Sequence, residues 1–276
     1  MLLHPLAACT HTLHRLAVLA ALLLSAAAHA APSVFIDELT TQEVSAAVAA
    51  GHTTVIIAVG GTEQSGPHLA LGKHNARVGV LAGRIAAGLG NALVAPTVSY
   101  VPEGNINPPT QHMRFAGTIS IPEAAFTGQL TGAAQSLKQH GFTHIVLIGD
   151  HGGYQRQLKA VAASLNQRWA GSAAQAQFVA EYYTATETAY VDALKAKGLS
   201  TAQIGLHAGT ADASLLLATA PALVKPELFN DAFKTGKAGG TQGDPRPATA
   251  ELGQLGVNAI VSQTTAAIQA AAKRPR

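Results

Sequence analysis

Glu63, His68 and His74 stand within twelve positions of one another, directly after an apolar run. The run, residues 55–59, is rich in β-branched side chains and ends at two glycines, which predicts a buried strand with an abrupt end. In an open parallel α/β sheet, ligands bind just beyond the carboxyl ends of the strands. We therefore expect Glu63 at a binding crevice, where a carboxylate beside imidazoles suits metal binding or acid–base chemistry.

A second segment repeats this design. Residues 144–148 form another apolar run, and Gly149, Asp150 and His151 follow it. This again places an acid and an imidazole at the exit of a predicted strand. Two such exits that face one crevice predict a metal site or an acid–base site.

The elements that must position these residues alternate between strand and helix. Thr40–Glu43 has the pattern of a capping box and predicts the start of a helix. Further on, the spacing of apolar residues gives predicted strands near 53–60, 92–100, 144–149 and 177–182, and predicted helices over 40–51, 75–89, 122–140, 154–169 and up to about 272. The alternation favours an α/β fold of three layers, α/β/α, with a mainly parallel central sheet.

Residues 101–116 are too long for a simple connector and contain three prolines. Loops of this length often cover a site. Asn105, Asn107 and His112 on this loop are candidates for shaping a pocket.

The two polar segments resemble the motifs of the creatininase (creatinine amidohydrolase) family of metal-dependent amidohydrolases. Residues 63–74, Glu-Gln-Ser-Gly-Pro-His-Leu-Ala-Leu-Gly-Lys-His, are similar to the family pattern Glu-Gln-His-Gly-Pro-His-Leu-Pro-Leu-Gly-Thr-Asp. Residues 149–154, Gly-Asp-His-Gly-Gly-Tyr, are similar to Asn-Gly-His-Gly-Gly-Asn. Three further stretches, 115–120, 207–214 and 243–253, match in order, so the resemblance spans almost all of residues 34–260 and implies the family fold.

The resemblance implies a metal site that departs from the family pattern. The family ligands in the first motif are its Glu, its first His and an Asp that bridges two ions. Here Glu63 matches, Ser65 replaces the first His, and His74 replaces the bridging Asp, while His151 matches the His of the second motif. The expected ligands are Glu63, His74 and His151, a set that suits one Zn²⁺ per chain, with Mn²⁺ or Fe²⁺ as alternatives.

Each of these residues also has an interpretation without a metal. His74 is alternatively a surface residue beside Lys73, and Glu63 a carboxylate that caps the next turn. Asp150 either orients His151 or adds a ligand, or it caps the following helix. His68 either contacts substrate or packs under the loop.

The resemblance also implies catalytic roles for His207 and Asp212, which match the proton-transfer His and the nearby Glu of the family. In the expected mechanism, Asp212 takes a proton from water activated by the metal, and His207 donates a proton to the leaving nitrogen. Ser65 and Tyr154, which stand where the family has His and Asn, are candidates for contacting the substrate or for supporting the ligands. The expected function is hydrolysis of a linear or cyclic C–N amide in a small molecule; a silent periplasmic small-molecule-binding protein and a lactonase are the alternatives.

Composition argues against nucleic acid as a partner and favours association of identical chains. Only 12% of residues are charged, and Lys plus Arg total 18 against 15 for Asp plus Glu, so the chain offers no basic surface for nucleic acid. The basic residues cluster only at 273–276. So few charges favour a homo-oligomer that hides part of its surface, and the resemblance implies a ring-like hexamer.

Residues 1–30 have the pattern of a signal peptide: Arg15, a short apolar core over 16–24, and Ala28-His29-Ala30 as a cleavage site. The apolar core is shorter than the ~20 residues of a membrane-spanning helix, so stable membrane insertion is not expected. Cys9, the single cysteine, also lies in a sequence resembling a lipoprotein acylation box. Cleavage would leave residues 31–276 as a cysteine-free, single creatininase-like domain in the periplasm or outside the cell.

This leader predicts that the functional protein begins at Ala31. Expression of the full chain in a bacterial host should give, in the periplasmic fraction, an intact mass that lacks residues 1–30. An Ala30→Tyr variant should keep the leader attached, because the cleavage site requires small residues. Recovery of uncleaved wild-type chain from the cytoplasm would contradict export.

Overall fold

The structure is a computed structural model that describes residues 33–273; the predicted leader and the last three residues lie outside this range. Four strands form one parallel sheet: β1 (Thr54–Val59), β2 (Ala92–Val94), β3 (His144–Gly149) and β4 (Gln175–Phe178). Their order in space is β2-β1-β3-β4. The central pair, β1 and β3, is in register from Thr54 opposite His144 to Val59 opposite Gly149.

Ten α-helices surround this sheet within the described residues. They are α1 (Thr41–Ala49), α2 (Lys73–Leu89), α3 (Glu123–Gln139), α4 (Gln155–Arg168), α5 (Glu181–Glu187), α6 (Ala189–Ala196), α7 (Thr201–Ile204), α8 (Thr210–Thr219), α9 (Phe229–Thr235) and α10 (Ala250–Ala272). Within residues 33–273, none of the helices has the length and apolarity needed to cross a bilayer.

Both faces of the sheet are buried, because successive side chains of a strand point to opposite sides. From β1, Val55 and Ile57 face one apolar cluster, built mainly with α3 and α4. Ile56 and Ala58 face the other cluster, which contains residues of α2, α10 and the helices between β4 and α9. The predicted three-layer fold with a parallel sheet is therefore confirmed.

Two predicted strands differ from the observed ones. β2 ends at Val94, well before the predicted residue 100. Pro96 follows two residues later and has no N–H to continue a ladder of hydrogen bonds, so only an isolated bridge at Val98 extends the pairing. β4 lies at 175–178 and not at 177–182, because Tyr182 belongs to α5.

The strand order creates a crevice at the carboxyl ends of β1 and β3. After β1 the chain passes to β2 on one side, and it later returns to place β3 on the other side of β1. The connections therefore leave the sheet in opposite directions at this point, which is where α/β folds bind their ligands. Glu63 follows β1 and His151 follows β3, so the topology brings both segments to this crevice.

Tyr154 ties the two strand exits together. Its buried hydroxyl lies 2.8 Å from the carbonyl oxygen of Val59 and 2.5 Å from that of Gly60, to one of which it donates. The same hydroxyl accepts the backbone N–H of His151 at 3.1 Å. The tyrosine thus fixes the distance between the end of β1 and the loop that carries His151.

We expect Tyr154→Phe to lower the free energy of unfolding by about 1–3 kcal/mol, because buried backbone groups lose their partner while the ring is retained. Urea denaturation measures the change. The matched control is Tyr100→Phe, at a half-exposed side chain, for which the change should stay within about 0.5 kcal/mol. Equal effects of the two substitutions would contradict the role of Tyr154 as a tie between strands.

Candidate active site

Glu63 is the central residue of the crevice. It is fully buried on the segment between β1 and α2, and its backbone N–H donates to the carbonyl oxygen of Leu71 at 3.1 Å. Its two carboxylate oxygens face different groups. Oε1 faces cationic side chains of α2, and Oε2 faces imidazoles on the neighbouring loops.

The Oε1 side of Glu63 is occupied by fixed positive charge. His74 Nε2 lies 2.8 Å from Oε1 and Lys73 Nζ lies 3.4 Å from it. Lys73 has no exposed surface, and its Nζ also lies 3.0 Å from Asp212 Oδ2. Burial alone would raise the pKa of Glu63, but the charges of Lys73 and His74 hold it well below its usual range.

Both ring nitrogens of His74 face carboxylates. Nε2 faces Glu63, and Nδ1 lies 2.6 Å from Asp150 Oδ2. Asp150 is ionised, because Arg77 and His74 outweigh the effect of burial and lower its pKa. Arg77 Nη2 also lies 3.1 Å from His74 Nδ1, so the ring is held between two carboxylates and a guanidinium.

Asp212, whose side chain is 19% exposed, completes this group of charges. Its Oδ1 lies 2.9 Å from Arg77 Nη1, and its Oδ2 accepts from Lys73 and from the backbone N–H of Ala208 at 2.8 Å. Although burial raises the pKa of Asp212, Lys73 and Arg77 hold it well below its usual range. We call the set of three acids and three bases the buried charge layer: Glu63, Asp150, Asp212, Lys73, His74 and Arg77.

On the other side, Glu63 joins Glu103, His112 and His151 in a four-residue cluster. One ligand atom from each residue lies within 4.8 Å of those of the others. The Nε2 atoms of His112 and His151 each lie 3.2 Å from Glu63 Oε2. Yet within residues 33–273 Glu63 Oε2 and both carboxylate oxygens of Glu103 have no hydrogen-bond partner.

These unpartnered oxygens fit a divalent cation. A buried carboxylate without hydrogen bonds is costly unless a proton or a metal neutralises it. Burial, and then the charge of Glu63, raise the pKa of Glu103 to about 9 in the absence of a cation. Two carboxylates and two imidazoles around one point supply the donor types that zinc and manganese accept.

The loop 101–116 carries two members of this cluster. Glu103 is fixed by its backbone N–H, which donates to Ser120 Oγ at 2.9 Å. A Cβ at Gly61 would lie 2.7 Å from Glu103 Oε1, so the glycine after β1 allows the close approach. His112, on a short 3-10 helix, has Nδ1 3.1 Å from Gln64 Nε2, which donates to it.

Glu103 is not among the site residues expected from the sequence, and His112 is expected only to shape the pocket. The one available signal for Glu103 was an acid between a proline and a glycine at the start of a loop that was expected to cover a site. The structure brings together the three expected ligands Glu63, His74 and His151, but the ring of His74 lies in the buried charge layer and not in the four-residue cluster.

His207 lies beside the cluster as a neutral ring. Its Nε2 donates to the carbonyl oxygen of Gln64 at 2.9 Å, and its Nδ1 lies 3.7 Å from Glu63 Oε1. Burial and the charge of Lys73 lower the pKa of His207 to about 3. The ring is therefore neutral near pH 7, with the lone pair of Nδ1 directed into the crevice.

The remaining candidates lie around the crevice. His68 is buried, donates from Nε2 to the carbonyl oxygen of Ala208 at 3.0 Å and packs edge-on against Phe229. These contacts favour a packing role for His68 over substrate contact. Ser65, two residues after Glu63, is buried, and its hydroxyl has no hydrogen-bond partner within the described residues. The ring of Tyr154 packs 5.7 Å from that of His151, centroid to centroid.

Glu103 makes the stability of the cation-free protein depend on pH. Its pKa is about 9 in the fold and 4.5 in an ordinary environment, so the folded state holds a proton that the unfolded chain releases. The free energy of unfolding therefore falls as the pH rises from about 5 to 9. Glu103→Gln should reduce this fall by about 1–3 kcal/mol between pH 5 and pH 8, as measured by urea unfolding in a chelator.

Glu123→Gln, at an exposed carboxylate, is the matched control and should leave the pH dependence unchanged. Identical slopes for wild type and Glu103→Gln would show that the carboxyl group of Glu103 is not held in its protonated form.

Comparison with known sequences gives one family. The family profile described as creatinine amidohydrolase (Creatininase) matches residues 37–268. A creatinine amidohydrolase of Pseudomonas putida is 30% identical over 197 residues, which cover 70% of this chain and 74% of that protein. A mycofactocin precursor peptide peptidase of Mycolicibacterium smegmatis is 34% identical over 116 residues, 40% of this chain and 44% of that protein.

Solved structures agree with the sequences. The crystal structure of a creatinine amidohydrolase (creatininase) has a TM-score of 0.74 and 26% identity, and the match covers 89% of this chain and 100% of that one. Other similar structures include a Zn–Zn form of a creatininase mutant and a creatininase with Mn, with TM-scores of 0.71 and 0.70, each at 25% identity over 88% of this chain. The chain belongs to the creatininase family.

Proposed function

We propose that the protein hydrolyses a C–N amide bond of a small molecule with water activated by one divalent cation. The observation that carries this proposal is the four-residue cluster, in which three buried carboxylate oxygens form no hydrogen bond of good geometry within the described residues, although two imidazole nitrogens lie 3.2 Å from Glu63 Oε2. Family membership supports hydrolysis, since the two sequence relatives are named as an amidohydrolase and a peptidase.

The ligands in this proposal are Glu63, Glu103, His112 and His151. Zn²⁺ suits this set, and Mn²⁺ or Fe²⁺ are compatible with it. The Zn–Zn and Mn forms of solved creatininases support this choice of metals. We propose a single ion per chain, because Lys73 and His74 already neutralise Glu63 Oε1 and positive charge there repels a second cation.

A cation bound by this cluster would supply Lewis-acid polarisation of the amide carbonyl and would make water acidic enough to act as a nucleophile near pH 7. The buried charge layer keeps Glu63 ionised and fixed in orientation. Gln64 holds two imidazoles in place. Its backbone carbonyl oxygen accepts from His207 Nε2, and its side-chain Nε2 donates to His112 Nδ1.

His207 is the proposed proton carrier. Because its ring is neutral, it must first accept at Nδ1 the proton that the attacking water loses, and it can then deliver this proton to the leaving nitrogen as the C–N bond breaks. Its low pKa makes the protonated ring a strong acid, which favours the delivery. Asp212, expected from the motif to take the water proton, has three donors on its two oxygens, so the geometry favours a positioning role for it.

A second candidate function is a silent small-molecule-binding protein on the same fold. The departures at Ser65 and His74 favour it, because they replace ligands of the family motif. In that case the crevice would hold a small molecule without cleaving it. The experiment below separates the two functions.

We expect purified protein 31–276 to hold about one divalent cation per chain and to release amine from small amides only when the cation is present. His151→Ala removes a ligand and should lower both cation affinity and kcat/KM by at least about 100-fold. His140→Ala, at an exposed histidine that ends α3, is the control and should change neither. Elemental analysis and an amine-release assay on a panel of linear and cyclic amides are the measurements.

Equal cation content in wild type and His151→Ala would refute the proposed ligand set. Cation binding without turnover of any amide in the panel, together with saturable binding of panel members, would establish the binding protein in place of the enzyme.

We also propose that the protein works after export, as a homo-oligomer. The leader pattern of residues 1–30 supports the first point, and the low content of charged residues supports the second.

A further inference from the structure

A cavity of about 460 Å³ leads away from the four-residue cluster. The imidazoles of His112, His151 and His207 line it, and the first two belong to that cluster. We infer that this cavity receives an uncharged, apolar group attached to the scissile amide, so that the preferred substrates are amides with an aliphatic or aromatic flank. The inference rests on the proposed amide hydrolysis and adds the class of substrate.

One part of the cavity wall is apolar. It is formed by α5 and α6, by α7 and the turn after it, and by α8, and its larger apolar side chains are Tyr183, Tyr190, Val191, Ile204, Leu206 and Leu215. Burial of apolar ligand surface against such walls is favourable by about 25 cal/mol per Å². A flank of several carbon atoms can therefore contribute substantially to binding.

The charged residues that line the cavity cannot easily bind an ionic group of a ligand. Lys73 and Arg77 have 0% and 3% exposure and are already paired with Asp212. Asp212 in turn has three donors on its two oxygens. A charged flank entering here would lose its hydration without gaining an unpaired partner, whereas an apolar flank has no such cost.

The residues at the edge of the cavity also favour an apolar flank. Leu206 is 89% exposed, the highest value among the large apolar side chains of the described residues. It stands directly before His207, so an apolar chain that extends from the reacting amide would cover it. Glu187, also on the lining, is an exposed carboxylate, which disfavours an anionic flank.

The size of the cavity agrees with a flank of several carbons. At about 460 Å³ it lies within the range of pockets that enclose ligands of drug-like size, roughly 300–1,000 Å³. A small cyclic amide such as creatinine would leave most of this volume filled with water.

Two series of probes test the inference on protein 31–276 loaded with Zn²⁺. The first is the linear n-alkyl hydroxamates from two to eight carbons, which chelate a metal and extend an alkyl chain. We expect affinity, measured by calorimetry, to increase about three- to fourfold for each added methylene until the cavity is filled. Affinity that does not depend on chain length would overturn the inference.

The second series, the n-alkyl carboxamides of the same lengths, carries no chelating group and is measured by ligand-observed NMR with and without Zn²⁺. Carboxamide affinity that increases with chain length would support the apolar cavity. Hydroxamate binding that does not require Zn²⁺ would count against the proposed function alone. Absence of chain-length dependence in both series, with Zn²⁺-dependent binding of acetohydroxamate, would count against the cavity alone.

Leu206→Asp places a charge at the edge of the cavity and should reduce the gain per methylene to less than about twofold in both series. Because Leu206 is exposed, the substitution should not disturb folding. Tyr100→Asp, at an exposed aromatic residue that does not line this cavity, is the matched control and should retain the wild-type gain. Equal effects of the two variants would overturn the assignment of Leu206 to the binding surface.

Discussion

The carboxylate of Glu63 is shared between two environments, and the chemistry of the crevice depends on that division. One oxygen faces Lys73 and His74, whose charges keep it ionised in a fully buried position. The other faces two imidazoles without a hydrogen bond. An ionised oxygen held without a partner in a low-dielectric site attracts a cation strongly.

The helix α2 makes this division possible. It begins at Lys73, two residues earlier than its apolar periodicity predicts, so Lys73 and His74 lie in its first turn. Arg77 follows one turn later, and neighbours three or four positions apart share a helix face. The three bases therefore point together toward Glu63, Asp150 and Asp212, which come from three different segments of the chain.

The sequence predicts the fold better than it predicts the site. Alternating apolar runs and amphipathic stretches identify the layers, because burial of both sheet faces imposes those patterns. The position of Glu103 and His112 beside Glu63 could not be predicted, because they lie in an irregular loop whose path has no periodic signature. The position of His74 after Glu63 was visible, but what its two nitrogens face depends on Asp150, 76 residues further along the chain.

The balance of charge in the layer beneath the crevice has a consequence for assembly. Three carboxylates and three bases neutralise one another there without any ion, although each buried pair costs desolvation. The scaffold around the crevice does not need a metal to compensate its charges, unlike small domains that are unfolded until a metal binds. Folding is thus separable from the proposed uptake of an ion: the polypeptide can reach its native state in ion-poor surroundings, before any cation binds.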